Sequence, residues 1–210
     1  MAILGLKSKM IKNLRDNCSK NFSEKGYPSR QNENWKFTSS RELAKFENEV
    51  DLDFKVEHIE NDNNTLLFIN GVLDKNSLDK FNYKDELKVI NINELKDDNI
   101  LKFSDNFLNE SLFNLGIMNF KEGYYFKFDK NVFIDKPIKI VNYYNASQDQ
   151  SRIVSFNIFH LQSGSEISFV EEDINDGKDS FNLKLNKFLC DESSVLKCGK
   201  FFEGKINNHS

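Results

Sequence analysis

Phe181-Asn182-Leu183-Lys184-Leu185-Asn186 alternates apolar and polar residues with a period of two. Successive side chains of an extended strand point to opposite faces, so Phe181, Leu183 and Leu185 share one side and Asn182, Lys184 and Asn186 the other. The pattern predicts a strand with one buried apolar face. Working outward, Tyr124 to Phe128, Val132 to Ile134, Ile138 to Val141, Arg152 to Leu161, Glu166 to Val170 and Val195 to Phe202 are likewise short, β-prone and separated by turns. The second half of the chain is therefore expected to be nearly all strand. Serial short strands suit both a β-sandwich and a parallel β-helix, and no sharp repeat separates the two.

The first half has a different texture. Leu6, Met10, Ile11, Leu14, Cys18 and Phe22 fall on one face of a 3.6-residue period, predicting an amphipathic helix that Gly26 and Pro28 end. An extended segment is expected next. Ser39 with Glu42 has capping-box spacing, so a short second helix carrying Leu43 and Phe46 is expected there. Asp51 to Asn64 reads as a polar loop before the strand Leu66 to Ile69, which Asn70-Gly71 turns. Leu87 to Ile92 is a further β-like run. Ser104 is placed to cap a helix carrying Phe107, Leu108, Leu112 and Leu115, with Gly116 as its stop.

Composition narrows the function classes. The chain has 210 residues, 29 Lys+Arg against 33 Asp+Glu and a net charge of -4, so it carries no basic surplus for phosphates and nucleic acid is not expected as a partner. Its longest apolar runs fall far short of the roughly 20 residues that span a bilayer, so no membrane partner is expected. Met1 to Leu6 followed by Lys7 reverses the order of a secretory signal, and the three cysteines have no framework spacing. A cytoplasmic location with reduced thiols is expected.

No catalytic constellation stands out, and no catalytic, cofactor-binding or metal-ligating residue is assigned. Cys190 and Cys198 have seven residues between them, wider than a zinc knuckle, and read as buried structural thiols, as does Cys18. His160 shares a strand side with Phe156 and Ile158 and reads as a hydrogen-bonded strand histidine. His58 sits in the polar loop and His209 beside the last residue. The adjacent Glu171, Glu172 and Asp173 read as a solvated loop, with metal binding or catalysis the less favoured alternative.

The most specific stretch is Gly26-Tyr27-Pro28-Ser29-Arg30-Gln31-Asn32-Glu33-Asn34-Trp35-Lys36-Phe37-Thr38, which holds the only Trp. On physics alone Trp35 anchors an extended segment, with Arg30, Glu33 and Lys36 available for ion pairs. The stretch also resembles the N-terminal signature of the SufB/SufD family of iron-sulfur cluster assembly proteins, SufD above all, in which G-x-P-[ST]-R-x-x-E-x-W-[KR]-[YF]-T recurs. Leu67-Phe68-Ile69-Asn70-Gly71, Asp105 to Gly116, Asp135-Lys136-Pro137-Ile138 and Ser163-Gly164-Ser165 ahead of Ile167 to Glu172 agree in order.

The resemblance implies a mainly β fold: an α-rich N-terminal region over residues 1–115, then from 116 to 210 the start of a right-handed parallel β-helix. Family members run to about twice this length, so the β-helix is expected to be truncated here. The resemblance further implies a scaffold rather than an enzyme, a SufB-like paralogue and a SufC-like ATPase as partners of the full-length protein, and a complex that handles an iron-sulfur cluster, with a flavin as a further candidate cofactor. No cofactor is expected in this chain, because the family's cluster groups and ATPase contacts lie mostly late in the sequence. The alternatives are a carbohydrate-active enzyme on a β-helix and a β-sandwich binding module.

Overall fold

A computed structural model of the chain describes residues 9–30, 35–36, 40–50, 62–97 and 99–203. The first helix, α1 (Lys9–Lys25), follows the predicted apolar face, with Ile11 and Cys18 buried and Met10 and Leu14 packed beside them. It stops where expected: Gly26 has φ +65° and donates its N–H to the Phe22 carbonyl at 2.7 Å, a conformation that favours glycine.

The strands in chain order are β1 (Asn48–Glu49), β2 (Thr65–Ile69), β3 (Val72–Leu73), β4 (Leu87–Asn91), β5 (Gly123–Phe128), β6 (Ile138–Tyr144), β7 (Ser151–Leu161), β8 (Glu166–Asn175), β9 (Ser180–Cys190) and β10 (Val195–Glu203). They form two sheets. In the first, β7 pairs with β9 on one edge and with β5 and β1 on the other, and β4 closes beyond β5. The second runs β10-β8-β6-β2-β3. From β5 onward the chain alternates between sheets, and every pairing among β5 to β10 is parallel. The antiparallel pairings are β2 with β3, through the predicted Asn70-Gly71 turn at φ 48° and 84°, and β4 with β5.

The main core lies between the sheets. Phe126, Phe128, Phe159 and Leu161 of the first meet Leu66, Phe68, Ile138, Ile140, Ile167 and Phe169 of the second, all buried. Rings interlock across the gap, with Phe159 and Phe169 centroids 5.0 Å apart and Phe128 and Phe169 5.9 Å apart. A second core forms on the other face of the first sheet, where Phe156 and Ile158 of β7 meet Ile11 and Cys18 of α1 and Phe113 and Ile117 of the helix α4 (Ser111–Asn119). Residues on both sides of position 116 thus share cores and sheets. Among the described residues no helix is long and apolar enough to cross a membrane.

Several expectations change. The predicted single helix after Ser104 is two, α3 (Asp105–Asn109) and α4, separated at Glu110, and Gly116 lies inside α4 rather than beyond it. The reason is tertiary: a Cβ on Gly116 would lie 2.5 Å from Leu185 Cδ1, so glycine lets α4 approach β9. The expected helix after Ser39 is a 3-10 turn, Arg41–Lys45, and Ser39 itself lies outside the described residues. Val132 to Ile134 makes only an isolated bridge from Phe133 to Glu166. The sequence reading missed α2 (Lys75–Lys80), whose signal was available: Asp74 caps it by accepting from the Ser77 N–H at 2.7 Å.

Candidate functional site

Glu171, Glu172 and Asp173 are not a solvated loop. They sit within β8, and the period of two sends Glu171 and Asp173 into the space between the sheets and Glu172 to the opposite face, where it meets Lys139 at 2.5 Å. β9 supplies the counter-charge. Lys184 Nζ lies 2.8 Å from Glu171 Oε1 and 2.5 Å from Asp173 Oδ1, and their side chains are only 12%, 16% and 17% exposed. Asn142 of β6 donates to Glu171 at 2.8 Å and Asp173 at 2.9 Å, while Lys200, the register neighbour of Glu171 on β10, lies 3.6 Å from each carboxylate.

The alternation of Phe181 to Asn186 is therefore real, but its polar side faces inward. Burial lowers the Lys184 pKa against the pull of Asp173 and Glu171. The Tyr144 hydroxyl is buried beside this group without a hydrogen-bond partner, and burial, then the charges of Asp173 and Glu171, hold its pKa well above the ordinary tyrosine range. Chemically the cluster is a closed set of ion pairs in which each carboxylate already faces a lysine. A neighbouring space of about 200 Å³, lined by Phe159, Phe169, Phe188, Cys198 and Lys200, opens between β9 and β10.

His160 is a hydrogen-bonded strand histidine, as its neighbours indicate. Its Nδ1 lies 2.6 Å from the Tyr125 hydroxyl and its Nε2 3.0 Å from Asp191 Oδ1. With a neutral ring the consistent assignment is Tyr125 O–H donating to Nδ1 and Nε2–H donating to Asp191. The row resembles a proton relay in outline, but Tyr125 is 3% exposed and burial first, then Asp97 and Asp191, push its pKa up to about 12. No substrate can reach the phenol, so the row holds β5, β7 and the turn after β9 together.

The thiols separate. Cys18 is buried as expected, and burial raises its pKa to about 11. Cys190 and Cys198 are exposed, which corrects the buried reading: they lie on β9 and β10, the outermost strands of the two sheets among the described residues. Burial, the Glu171 charge and Cys190 together raise the Cys198 pKa, so its thiol is not activated. Among the described residues no three His, Cys, Asp or Glu side chains converge as a metal site.

Of the signature stretch, Tyr27 packs edge-on against Phe22 at 5.2 Å and accepts from Arg152 of β7 at 3.4 Å, and the Pro28 carbonyl accepts from the Ser40 hydroxyl. Trp35 is half-buried and Arg30 and Lys36 are exposed. Glu33, His58 and His209 lie outside the described residues. The sequence reading missed Lys184 and Lys200 as partners of Glu171 and Asp173, because only the register of β9 and β10 against β7 and β8 brings them together. Compared with known protein families and with curated proteins, the chain matches none.

Proposed function

We propose that this chain is part of a SufD-like scaffold: a non-enzymatic wall of right-handed parallel β-helix, preceded by an α-rich region, that works by pairing with a SufB-like paralogue and being driven by a SufC-like ATPase. The observation that carries the reading is the strand order from β5 to β10, in which the chain alternates between two facing sheets and each strand from β7 onward pairs in parallel with the one two places earlier. Such winding is what successive coils of a β-helix require, and its position after a helical segment and the Gly26 to Thr38 signature agrees with the resemblance. The antiparallel hairpins of a sandwich do not run through this part of the chain.

The scaffold reading draws further support from the charged groups. Glu171 and Asp173, on which a carbohydrate-active enzyme would depend, are engaged by Lys184 and Lys200 inside the fold. The iron-sulfur cluster would be cargo of the assembled complex, with no ligand assigned to this chain. The test is size-exclusion chromatography of the purified chain with a SufB-type protein and with a SufC-type ATPase. Co-elution with the SufB-type protein, and none with the ATPase alone, is expected. Hydrolysis or lyase cleavage of a polysaccharide by the chain, with no complex formed, would overturn the scaffold reading.

A further inference from the structure

A groove runs between β9 and the α3 segment on the outer side of the first sheet. Its volume is about 680 Å³, within the range of small-molecule sites, and Phe103, Phe107, Phe113, Phe156 and Leu185 form its apolar wall, while the Phe188 ring at the β9 edge turns to Phe159 and the inter-sheet space. The rings are already arranged to receive another. Phe103 meets Phe113 edge-on at 4.9 Å and Phe107 at 6.5 Å, while Phe107 is 56% exposed.

Among the described residues, Lys187 is a half-buried cation of this apolar wall with no anion beside it. Lys187 Nζ donates to the carbonyls of Ile100 and Lys102, each at 2.7 Å, and lies 4.5 Å from the centre of the Phe103 ring. An ammonium has three donors, so one remains for a ligand. Among the described residues no carboxylate lies within ion-pair distance of Lys187. The other ionisable groups of the lining are Lys102, Lys184 and Glu110. Lys102 is exposed and bonds Asn99, Lys184 is engaged by Glu171 and Asp173 on the opposite side of β9, and Glu110 is exposed at the rim. Burial lowers the Lys187 pKa.

We propose that this groove binds an aryl carboxylate, its ring seated among Phe103, Phe107 and Leu185 and its carboxylate on the Lys187 ammonium. The anion completes the donor set of Lys187 and neutralises a half-buried charge, and the ring continues the edge-on packing of the wall. This binding stands independently of the scaffold reading.

The probes are 2-naphthoate and its neutral analogue 2-naphthylmethanol, titrated calorimetrically into the whole chain. Saturable one-to-one binding of naphthoate is expected, at least about tenfold tighter than the alcohol, as a charge-assisted hydrogen bond implies. Lys187→Met should abolish that preference and Lys187→Arg should keep it. Because Lys187→Met also releases two carbonyls, Phe107→Asp, at an exposed position, provides a second variant, expected to weaken naphthoate without loosening the Ile100 to Lys102 turn. Absence of saturable binding, equal affinity for the two probes, or a preference that survives Lys187→Met would overturn the proposal. So would a dimer seen by sedimentation without ligand and lost in Phe107→Asp, which would give the groove to a second copy of the chain.

Discussion

Lys184 on β9 reaches across the inter-sheet space to Asp173 on β8, with Nζ 2.5 Å from Oδ1 and 2.7 Å from Oδ2. It ties the first sheet to the second at the level where the apolar core gives way to polar side chains. Removing one member of a buried pair leaves the other charge uncompensated. Lys184→Ala should therefore destabilise the chain by about 3 kcal/mol, near the low end for such pairs because Lys200 remains beside both carboxylates. Urea unfolding measures it. A loss within 0.5 kcal/mol, the scale of ordinary surface changes, would mean that the ions are solvated rather than paired.

Gly116 and Leu185 give a steric prediction. Alanine normally favours a helix interior by about 1 kcal/mol over glycine, yet here its Cβ would meet Leu185 Cδ1 at 2.5 Å. Gly116→Ala should cost about 1 to 3 kcal/mol as overpacking, and the double variant with Leu185→Val should recover part of it. Thermal denaturation of the four proteins closes the cycle, and a stabilised Gly116→Ala would contradict the close approach of α4 to β9.

Cys18 predicts a pH dependence. Its folded pKa of about 11 lies above the ordinary value of 9.0, so between those pH values the folded state holds a proton that the unfolded state has lost. The stabilisation is complete below pH 9 and lost as pH rises towards 11. The stability drop from pH 8 to pH 11 should be larger in the native chain than in Cys18→Ala by on the order of 2 kcal/mol. The difference between the two proteins cancels the many lysines and tyrosines that titrate in the same window, and parallel curves would count against burial of this thiol.

Tyr125→Phe should cost about 1 to 2 kcal/mol, because it leaves the half-buried His160 Nδ1 without its donor. Asp191→Asn should cost less, since the Asp191 side chain is 40% exposed and water can replace it. Nitrogen-15 shifts of the imidazole offer a direct check: the neutral ring should carry its proton on Nε2, and an Nδ1–H tautomer would reverse the hydrogen-bond order.

Among the described residues β10 pairs along one edge only, with β8, and its outward-facing Val195 and Phe201 are 42% and 63% exposed. Unpaired strand edges with apolar side chains favour association with another chain. The purified chain is expected to self-associate at high micromolar concentration in sedimentation experiments, and Phe201→Lys should reduce it. A strictly monomeric native chain would mean that this edge is protected.

What the sequence determined by itself is local. The apolar face of α1, the glycine that ends it, the Asn70-Gly71 turn and the strands of the second half follow from periods of 3.6 and 2 and from backbone conformations that few residues adopt. His160 was legible as a bonded strand histidine from the company of Phe156 and Ile158. Only tertiary structure decided which side of each strand is inside. A period of two marks two faces but does not say what meets each, so Lys184 reads as solvent-facing until β8 brings Glu171 and Asp173 opposite it. The same holds for Gly116, a helix stop by local rules and a contact point by packing, and for Cys190 and Cys198, whose exposure follows from the place of β9 and β10 at the outer edges. Register and neighbour identity are long-range properties, set by which strands pair, and no window of sequence contains both partners.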